Sequence, residues 1–490
     1  MGIAMNARLS PMTSMAVSRD RIFAGGEWIS PSTSAQVVVE SPVDYTEVGR
    51  APDGSAEDVD RAVRAAREAF DHGPWPHLSS AERADWIDRL ADELERRGAD
   101  TSALITAEIG QPVALSRPWG GIRPVSHLRY YAKVAREADA EEIRANVSRP
   151  GTSIVRREPL GVAALIVPWN HPQASTTLKL APALAAGCTV VIKPAAETPL
   201  DIFNLADASL AIGMPPGVIN IVPGGRETGQ ALVAHPGVDK VAFTGSSEAG
   251  RHIASVAGRR LVPVTLELGG KSAAIVLESA DLDATFQSLR NAAFDNTGQT
   301  CALMARVLAP RSLYDTVRDR LVDLARDLRV GDPLDESTEL GPLVSRRIYD
   351  RVTGMVDAAR AAGATILAGD TALPEQGYYV APTIVTGAAS DSQIAQEEVF
   401  GPVITLLPYE DVDDAVRIAN DSRYGLAGAV YGDPDAVLDV ARRVRTGSIG
   451  LNGYRPDLNQ PYGGYKDSGL GREFGAEAVG NFQEIKSIWR

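Results

Sequence analysis

Cys301 follows Gly298-Gln299-Thr300, a small polar turn, in a chain with only two cysteines. If the backbone N–H groups of that turn aim at the sulfur, they lower a thiol pKa from about 8.5 and raise the nucleophilic thiolate fraction. The competing reading, a small buried hydrophobe, is the commoner fate of a lone cysteine and suits Cys188 in Ala-Ala-Gly-Cys-Thr-Val-Val. Glu267 is a carboxylate inside the apolar stretch Thr265-Leu266-Glu267-Leu268-Gly269-Gly270-Lys271. Burial there would raise its pKa, as a general base requires, unless Lys271 pairs with it. Asn170 ends Pro168-Trp169-Asn170, where its side-chain amide either donates to an oxyanion or caps the next helix. No G-x-G-x-x-G is present. Thr244-Gly245-Ser246-Ser247-Glu248-Ala249-Gly250 offers one glycine turn and a serine hydroxyl instead, enough for a phosphate or for a plain helix cap.

Composition narrows the partners. Lys plus Arg total 49 against 63 Asp plus Glu, a formal net charge of −14 in 490 residues. So acidic a chain repels nucleic-acid phosphates and anionic lipid surfaces. Apolar runs such as Val162 to Val167 fall far short of the roughly 20 residues that span a bilayer. Two cysteines build neither a disulfide framework nor a Cys-rich zinc site, and the six histidines lack metal-binding spacing, so no metal is expected. Met1 to Asp20 has no apolar signal core and reads as a disordered tail. A reducing, cytoplasmic setting is the simplest expectation.

The elements that must position these residues alternate. Helices are expected over Ser55–Phe70, Ser80–Gly98 and Pro124–Arg136, followed by a strand at Gly161–Pro168 whose unbroken apolar run implies burial on both faces. Helices over 172–186, 200–212, 227–234 and 247–257 then alternate with strands over 189–193, 218–222, 240–244 and 263–268. That order predicts an α/β fold with a parallel, doubly wound sheet. A second α/β unit begins after Gly269-Gly270, and the chain ends in a glycine-rich loop, Tyr462 to Gly475, and a strand-like tail, Phe482 to Trp489.

Taken together, Pro168-Trp169-Asn170, Lys193-Pro194, Phe243-Thr244-Gly245-Ser246, Leu266-Glu267-Leu268-Gly269-Gly270-Lys271, Gly298-Gln299-x-Cys301, Glu398-x-Phe400-Gly401-Pro402 and Gly463-Gly464-x-Lys466-x-Ser468-Gly469-x-Gly471-Arg472-Glu473 occur in one order. This pattern resembles the aldehyde dehydrogenase superfamily from about Ile22 to the C-terminus. The resemblance implies a Rossmann-like NAD(P)-binding domain over 21–138 and 159–268, a catalytic domain over 269–470, and a small β bridging element over 139–158 and 476–490 that builds dimers or tetramers. It implies that Cys301 attacks an aldehyde, that Asn170 and the Cys301 N–H hold the oxyanion, and that Glu267 activates water to hydrolyse the thioester. Lys179 and Glu473 resemble a proton path to Glu267. Lys193 would bind the adenosine ribose, Ser246 with Gly245 and Gly250 the pyrophosphate turn, and Glu398 the nicotinamide ribose, with Trp169, Leu268 and Phe400 packing around the cofactor.

Two departures bear on specificity. The position three after Lys193, often a Glu in NAD-preferring relatives, is Ala196; its neighbour Glu197 partly substitutes, and no arginine stands close in sequence to grip a 2′-phosphate. NAD is favoured, with NADP open. The expected substrate tunnel comprises His171, where most relatives have an aromatic, with Ser175, Leu178, Thr300, Leu458 and Tyr462. This mostly apolar set suits an uncharged aliphatic or aromatic aldehyde. Arg455 at the mouth offers the alternative, a carboxylate-bearing semialdehyde. A CoA-acylating role is disfavoured by Glu267, and a non-catalytic one by the joint presence of Cys301, Glu267 and Asn170.

Overall fold

The computed structural model describes residues 17–138, 140–368 and 372–489. One eight-stranded sheet runs in the spatial order Gly469–Leu470, Val264–Glu267, Lys240–Thr244, Val162–Ile166, Thr189–Lys193, Ile219–Ile221, Ile22–Ala24, Glu27–Ile29. From Val264–Glu267 to Ile219–Ile221 the pairing is parallel. Every residue of Val162–Ile166 and of Thr189–Lys193 is buried, as the unbroken apolar runs require of strands covered on both faces. Strand order reverses between Val162–Ile166 and Lys240–Thr244, which are direct neighbours. In doubly wound sheets a ligand crevice opens outside the carboxyl ends of strands at such a reversal. The loops starting at Val167 and at Gly245 flank it.

The edges of this sheet are antiparallel, which strand–helix alternation did not predict. Ile22–Ala24 and Glu27–Ile29 are too short to show a period, and Gly469–Leu470 returns from the glycine-rich loop to pair with Leu266 and Glu267. The expected helix Ser80–Gly98 runs instead to Ile109, closing at Gly110 in left-handed conformation. Gly98 is not a terminator: a Cβ there would lie 3.3 Å from Gly121 Cα, so glycine permits a close backbone approach within the helix. Of the expected tail, Met1 to Ala16 lie outside the described residues, whereas Val17–Ser18 pair in parallel with Gly49 and Arg50.

The second large sheet has the order Thr365–Leu367, Thr383–Thr386, Val403–Tyr409, Arg306–Pro310, Ala273–Val276, Gly428–Tyr431, Gly450–Leu451, parallel except at its first strand. Gln483–Trp489 lies antiparallel along Thr152–Pro159, which pairs in turn with Glu141–Ala145. This small sheet carries exposed Ile143, Ile485 and Trp489. Asp139 and Arg490, at the bounds of the expected bridging element, lie outside the described residues. Among the described residues no helix is long and apolar enough to cross a membrane.

Candidate active site

Helix Leu282–Phe294 runs into a turn where Asn296 and Thr297 both take left-handed backbone, φ 52° and 57°. Gly298 follows at φ 76°, and a Cβ there would meet the Gly401 carbonyl at 2.1 Å, so only glycine fits. Hydrogen bonds over-determine the turn. Thr297 Oγ1 donates to Gly341 O (3.2 Å), Val344 N to Gln299 Oε1 (3.0 Å) and Gln299 Nε2 to Asn296 O (3.2 Å). Asn170 Nδ2 donates to Gln299 O at 2.9 Å, and Asn296 Nδ2 donates back to Asn170 O at 3.0 Å. Asn170 is therefore no helix cap: helix Pro172–Ala186 starts after His171 without a side-chain cap bond. An amide nitrogen carries two N–H donors, so one remains for a ligand oxygen.

Cys301 is half-buried, its Sγ 3.8 Å from Tyr462 Oη. The expectation of a lowered thiol pKa fails. Burial, then the charges of Glu398 and Glu267, push the thiol up to about 12, against weaker help from Tyr462 and the cysteine's own N–H. Among the described residues no cation offsets these effects, so the protonated thiol is favoured.

Glu267 stands opposite Thr244 on one neighbouring strand and Gly469 on the other. It is buried, and neither carboxylate oxygen has a hydrogen-bond partner among the described residues. Burial, then the nearby Glu473 charge, raise its pKa well above the carboxylate range, while Lys179 and Arg472 pull the other way. Lys271 does not pair with it; its own Nζ is buried without a hydrogen-bond partner among the described residues and pushed down to about 7 by burial. Lys179 Nζ instead bridges Glu473 Oε1 (2.5 Å) and Thr244 Oγ1 (2.6 Å). The glycine-rich loop makes room for Glu267, since a Cβ on Gly463 would lie 2.7 Å from its Oε1.

The other predicted positions gather at the strand reversal and across from it. Lys193 is buried, its Nζ donating to the carbonyls of Pro194 (2.5 Å) and Gly224 (2.6 Å), and burial pushes it down to about 8. Its third N–H is left over for a ligand. Ser246 is exposed at the start of helix Ser247–Gly258 and accepts from Ala249 N at 3.3 Å. Gly245 N donates to Glu267 O, and Gly250 lets the helix sit on Leu268, whose Cδ2 would be 2.6 Å from an added Cβ. Across the cleft, Glu398 Oε1 accepts from Gly270 N at 3.0 Å, and burial pushes its carboxyl up to about 7. Phe400, at φ 63°, meets Trp169 edge to face at 5.4 Å. Glu398, Phe400, Thr300 and Cys301 line one small cavity. Exposed helix-start donors, a buried lysine with a spare N–H and a carboxylate beside the thiol fit a dinucleotide. Ala196 is half-buried, and Glu197 is no free substitute for an acidic side chain there: it accepts from Arg347 at 3.1 Å. An arginine absent from the sequence neighbourhood is thus present in space.

Along the expected tunnel, His171 Nε2 lies 3.1 Å from Thr300 Oγ1, and Ser175 and Leu178 are half-buried on the helix face that His171 begins. Tyr462 stacks on Phe474 at 5.1 Å, with Leu458 half-buried nearby in sequence. Arg455 is exposed and has no carboxylate partner among the described residues. Sequence reasoning missed Trp119, which stacks on His171 at 3.8 Å. Its setting, Arg-Pro-Trp-Gly-Gly-Ile, carries a proline and two glycines and no periodic signal.

The sequence matches the Aldehyde dehydrogenase family over residues 28–488. Geranial dehydrogenase of Castellaniella defragrans is 45% identical over 97% of this chain and 99% of that protein. A 3-succinoylsemialdehyde-pyridine dehydrogenase from Pseudomonas sp is 39% identical over 95% of this chain and 97% of that one. Among solved structures, a Mycobacterium tuberculosis aldehyde dehydrogenase complexed with NAD+ superposes with a TM-score of 0.94 at 42% identity, covering 96% of this chain and 98% of that chain. The chain belongs to the aldehyde dehydrogenase family, NAD(P)-dependent enzymes that oxidise aldehydes.

Proposed function

We propose that this enzyme oxidises an uncharged aliphatic or aromatic aldehyde to its carboxylic acid, with NAD as the favoured cofactor. The observation that carries the reading is the meeting of Cys301 with two partly unsatisfied polar groups: Asn170, with a spare amide N–H beside the cysteine turn, and Glu267, whose oxygens have no partner. Cys301 first loses its thiol proton to solvent, which the positive charge of a bound nicotinamide would favour; its Sγ then adds to the aldehyde carbon, and the new oxyanion accepts from Asn170 Nδ2 and the Cys301 N–H. Lys193, Ser246 and Glu398 would hold the dinucleotide, whose nicotinamide, when bound, supplies a positive charge and takes up the hydride. Glu267 then removes a proton from water as it attacks the thioester, and Lys179 with Glu473 carries that proton away. Loss of one oxyanion donor costs about 2.7–4 kcal/mol in such sites.

The name of the Castellaniella relative, an enzyme of geranial, supports an extended, uncharged substrate, as do the apolar side chains of half-buried Leu178 and Leu458. The semialdehyde alternative rests on Arg455, free of any carboxylate among the described residues, and on the name of the Pseudomonas relative. Bridging strands Thr152–Pro159 and Gln483–Trp489 belong, in this reading, to a dimer or tetramer interface. Initial rates over short, long, aromatic, terpenoid and carboxylate-bearing aldehydes, with NAD and NADP in parallel, decide the substrate. Fastest turnover of an uncharged aldehyde with NAD upholds the proposal; preference for a semialdehyde overturns it in favour of Arg455.

A further inference from the structure

His171 is gripped on two sides. Its Nε2 lies 3.1 Å from Thr300 Oγ1, next in sequence to the nucleophile, while the ring stacks on Trp119 with centroids 3.8 Å apart and planes 18° from parallel. Arg123 Cζ lies 3.4 Å from the centroid of the same indole. Two planar groups that close to one ring cannot share a face, so Trp119 is sandwiched between guanidinium and imidazole, a favourable use of both π faces.

The turn that carries Trp119 is built to stay put. Arg117–Ile122 forms a single π-helical turn between helices Val113–Ser116 and Arg123–Glu137, a local insertion that re-aims a side chain. Its glycines press it against helix Ser80–Ile109: a Cβ on Gly120 would meet Ile105 Cδ1 at 2.6 Å, and one on Gly121 would meet Gly98 O at 3.2 Å. The stack therefore runs from a rigid helix pair to the residue before Cys301. Beside it, Asn170 donates to Gln299 O, so consecutive residues 170 and 171 grip consecutive residues 299 and 300.

We infer that Trp119 is a positioning residue for the cysteine turn: by sandwiching between Arg123 and His171 it holds the imidazole on Thr300, and so fixes the backbone that presents Cys301 and its oxyanion-binding N–H. Burial, aided by the Arg123 charge, pushes His171 down to about 3, so its ring stays neutral across working pH. Arg123, on the other side of the indole, is the charge that acts on that ring among the described residues, Asp295 interacts with Arg123 from the far end of the cysteine turn, and Thr300 opposite is uncharged. The inference rests on the proposed role of Cys301.

The test uses Trp119→Ala, Trp119→Phe and Thr300→Val, with pH profiles of kcat and KM on the best aldehyde of the panel. Trp119→Ala opens the imidazole to water, and its pKa returns toward about 6.5. The expected result is a kcat lower by roughly three- to tenfold, the worth of one stacked pair, together with a new loss of activity below about pH 6.5. Trp119→Phe, which keeps a stacking face, restores most of kcat and returns the pH profile to that of the wild type. Thr300→Val lowers kcat and keeps the wild-type pH profile, because His171 stays buried. Should Trp119→Ala not fold, Thr300→Val decides: a wild-type kcat there overturns the inference. So does a Trp119→Ala enzyme that changes only KM or keeps the wild-type pH profile. A wild-type protein inactive on every aldehyde would sink the proposed function instead, which separates the two failures.

Discussion

Asn170 and Gln299 are joined by a 2.9 Å hydrogen bond from the Asn170 amide to the carbonyl two residues before Cys301. One amide thus ties the strand reversal of the first sheet to the cysteine turn of the second unit and keeps its other N–H in reserve. Asn170→Ala removes both functions. The expected loss in kcat is about 10²–10³-fold, with KM for the aldehyde little changed, because the lost donor acts on the oxyanion. Steady-state rates on one aldehyde check this, and a loss confined to KM would contradict it.

Glu267 and Cys301 divide the reaction between them. Glu267→Gln keeps the shape but not the base, so one equivalent of reduced cofactor appears in a burst and turnover then stalls at the thioester. Cys301→Ala gives no burst. Stopped-flow absorbance separates the two, and equal, full steady-state rates in both variants would refute the assignment.

The raised pKa of Glu267 also fixes the sign of a pH dependence. A base must be unprotonated to act, and here the protonated form is favoured to a pH well above 4.5. Thioester hydrolysis should therefore climb with pH, about tenfold per unit, until it levels off above the raised pKa. Measured in single turnovers after the burst, a rate flat from pH 5 to 9 would show an ordinary carboxylate.

Much of this is legible in the sequence. The alternation after Gly161 revealed the doubly wound sheet because parallel strands buried on both faces leave unbroken apolar runs. Cys301, Glu267 and Asn170 stood out because each is a polar or reactive group where its neighbours are small or apolar. What stayed hidden arises from contacts between residues far apart in the chain. Arg347 reaches Glu197 from a helix 150 positions away, and Trp119 meets His171 through a π-helical turn with no periodic signature. The thiol pKa departs from the sequence expectation for the same reason: the turn is visible in the sequence, but Glu398 and the burial that raise it are not.

Gly463 has a defined steric job. An added Cβ would lie 2.7 Å from Glu267 Oε1, 2.9 Å from Gly471 O and 3.0 Å from Arg472 Cδ. Gly463→Ala should displace the carboxylate before it disturbs the thiol, so the burst survives while the steady state falls, on the order of tenfold for about 1–3 kcal/mol of overpacking strain. Loss of the burst along with turnover would show that the loop collapses onto Cys301 as well.

Lys179 and Glu473 form an ion pair at 2.5 Å with side-chain exposures of 1% and 10%. Removing one member strands a buried charge, so Lys179→Met should destabilise the fold by about 3–5 kcal/mol and lower its melting temperature. It should also raise Glu267 further, because Lys179 is one of the two cations drawing that carboxyl down. The acid limb of thioester hydrolysis then moves to higher pH. Adding Glu473→Gln withdraws both the stranded charge and the anion that pushes Glu267 up, so the double variant should recover stability and shift the limb back toward wild type. Calorimetry and single-turnover pH profiles on the same three proteins test both halves. If Lys179→Met melts lower but leaves the limb in place, the pair is structural and Glu267 hands its proton elsewhere.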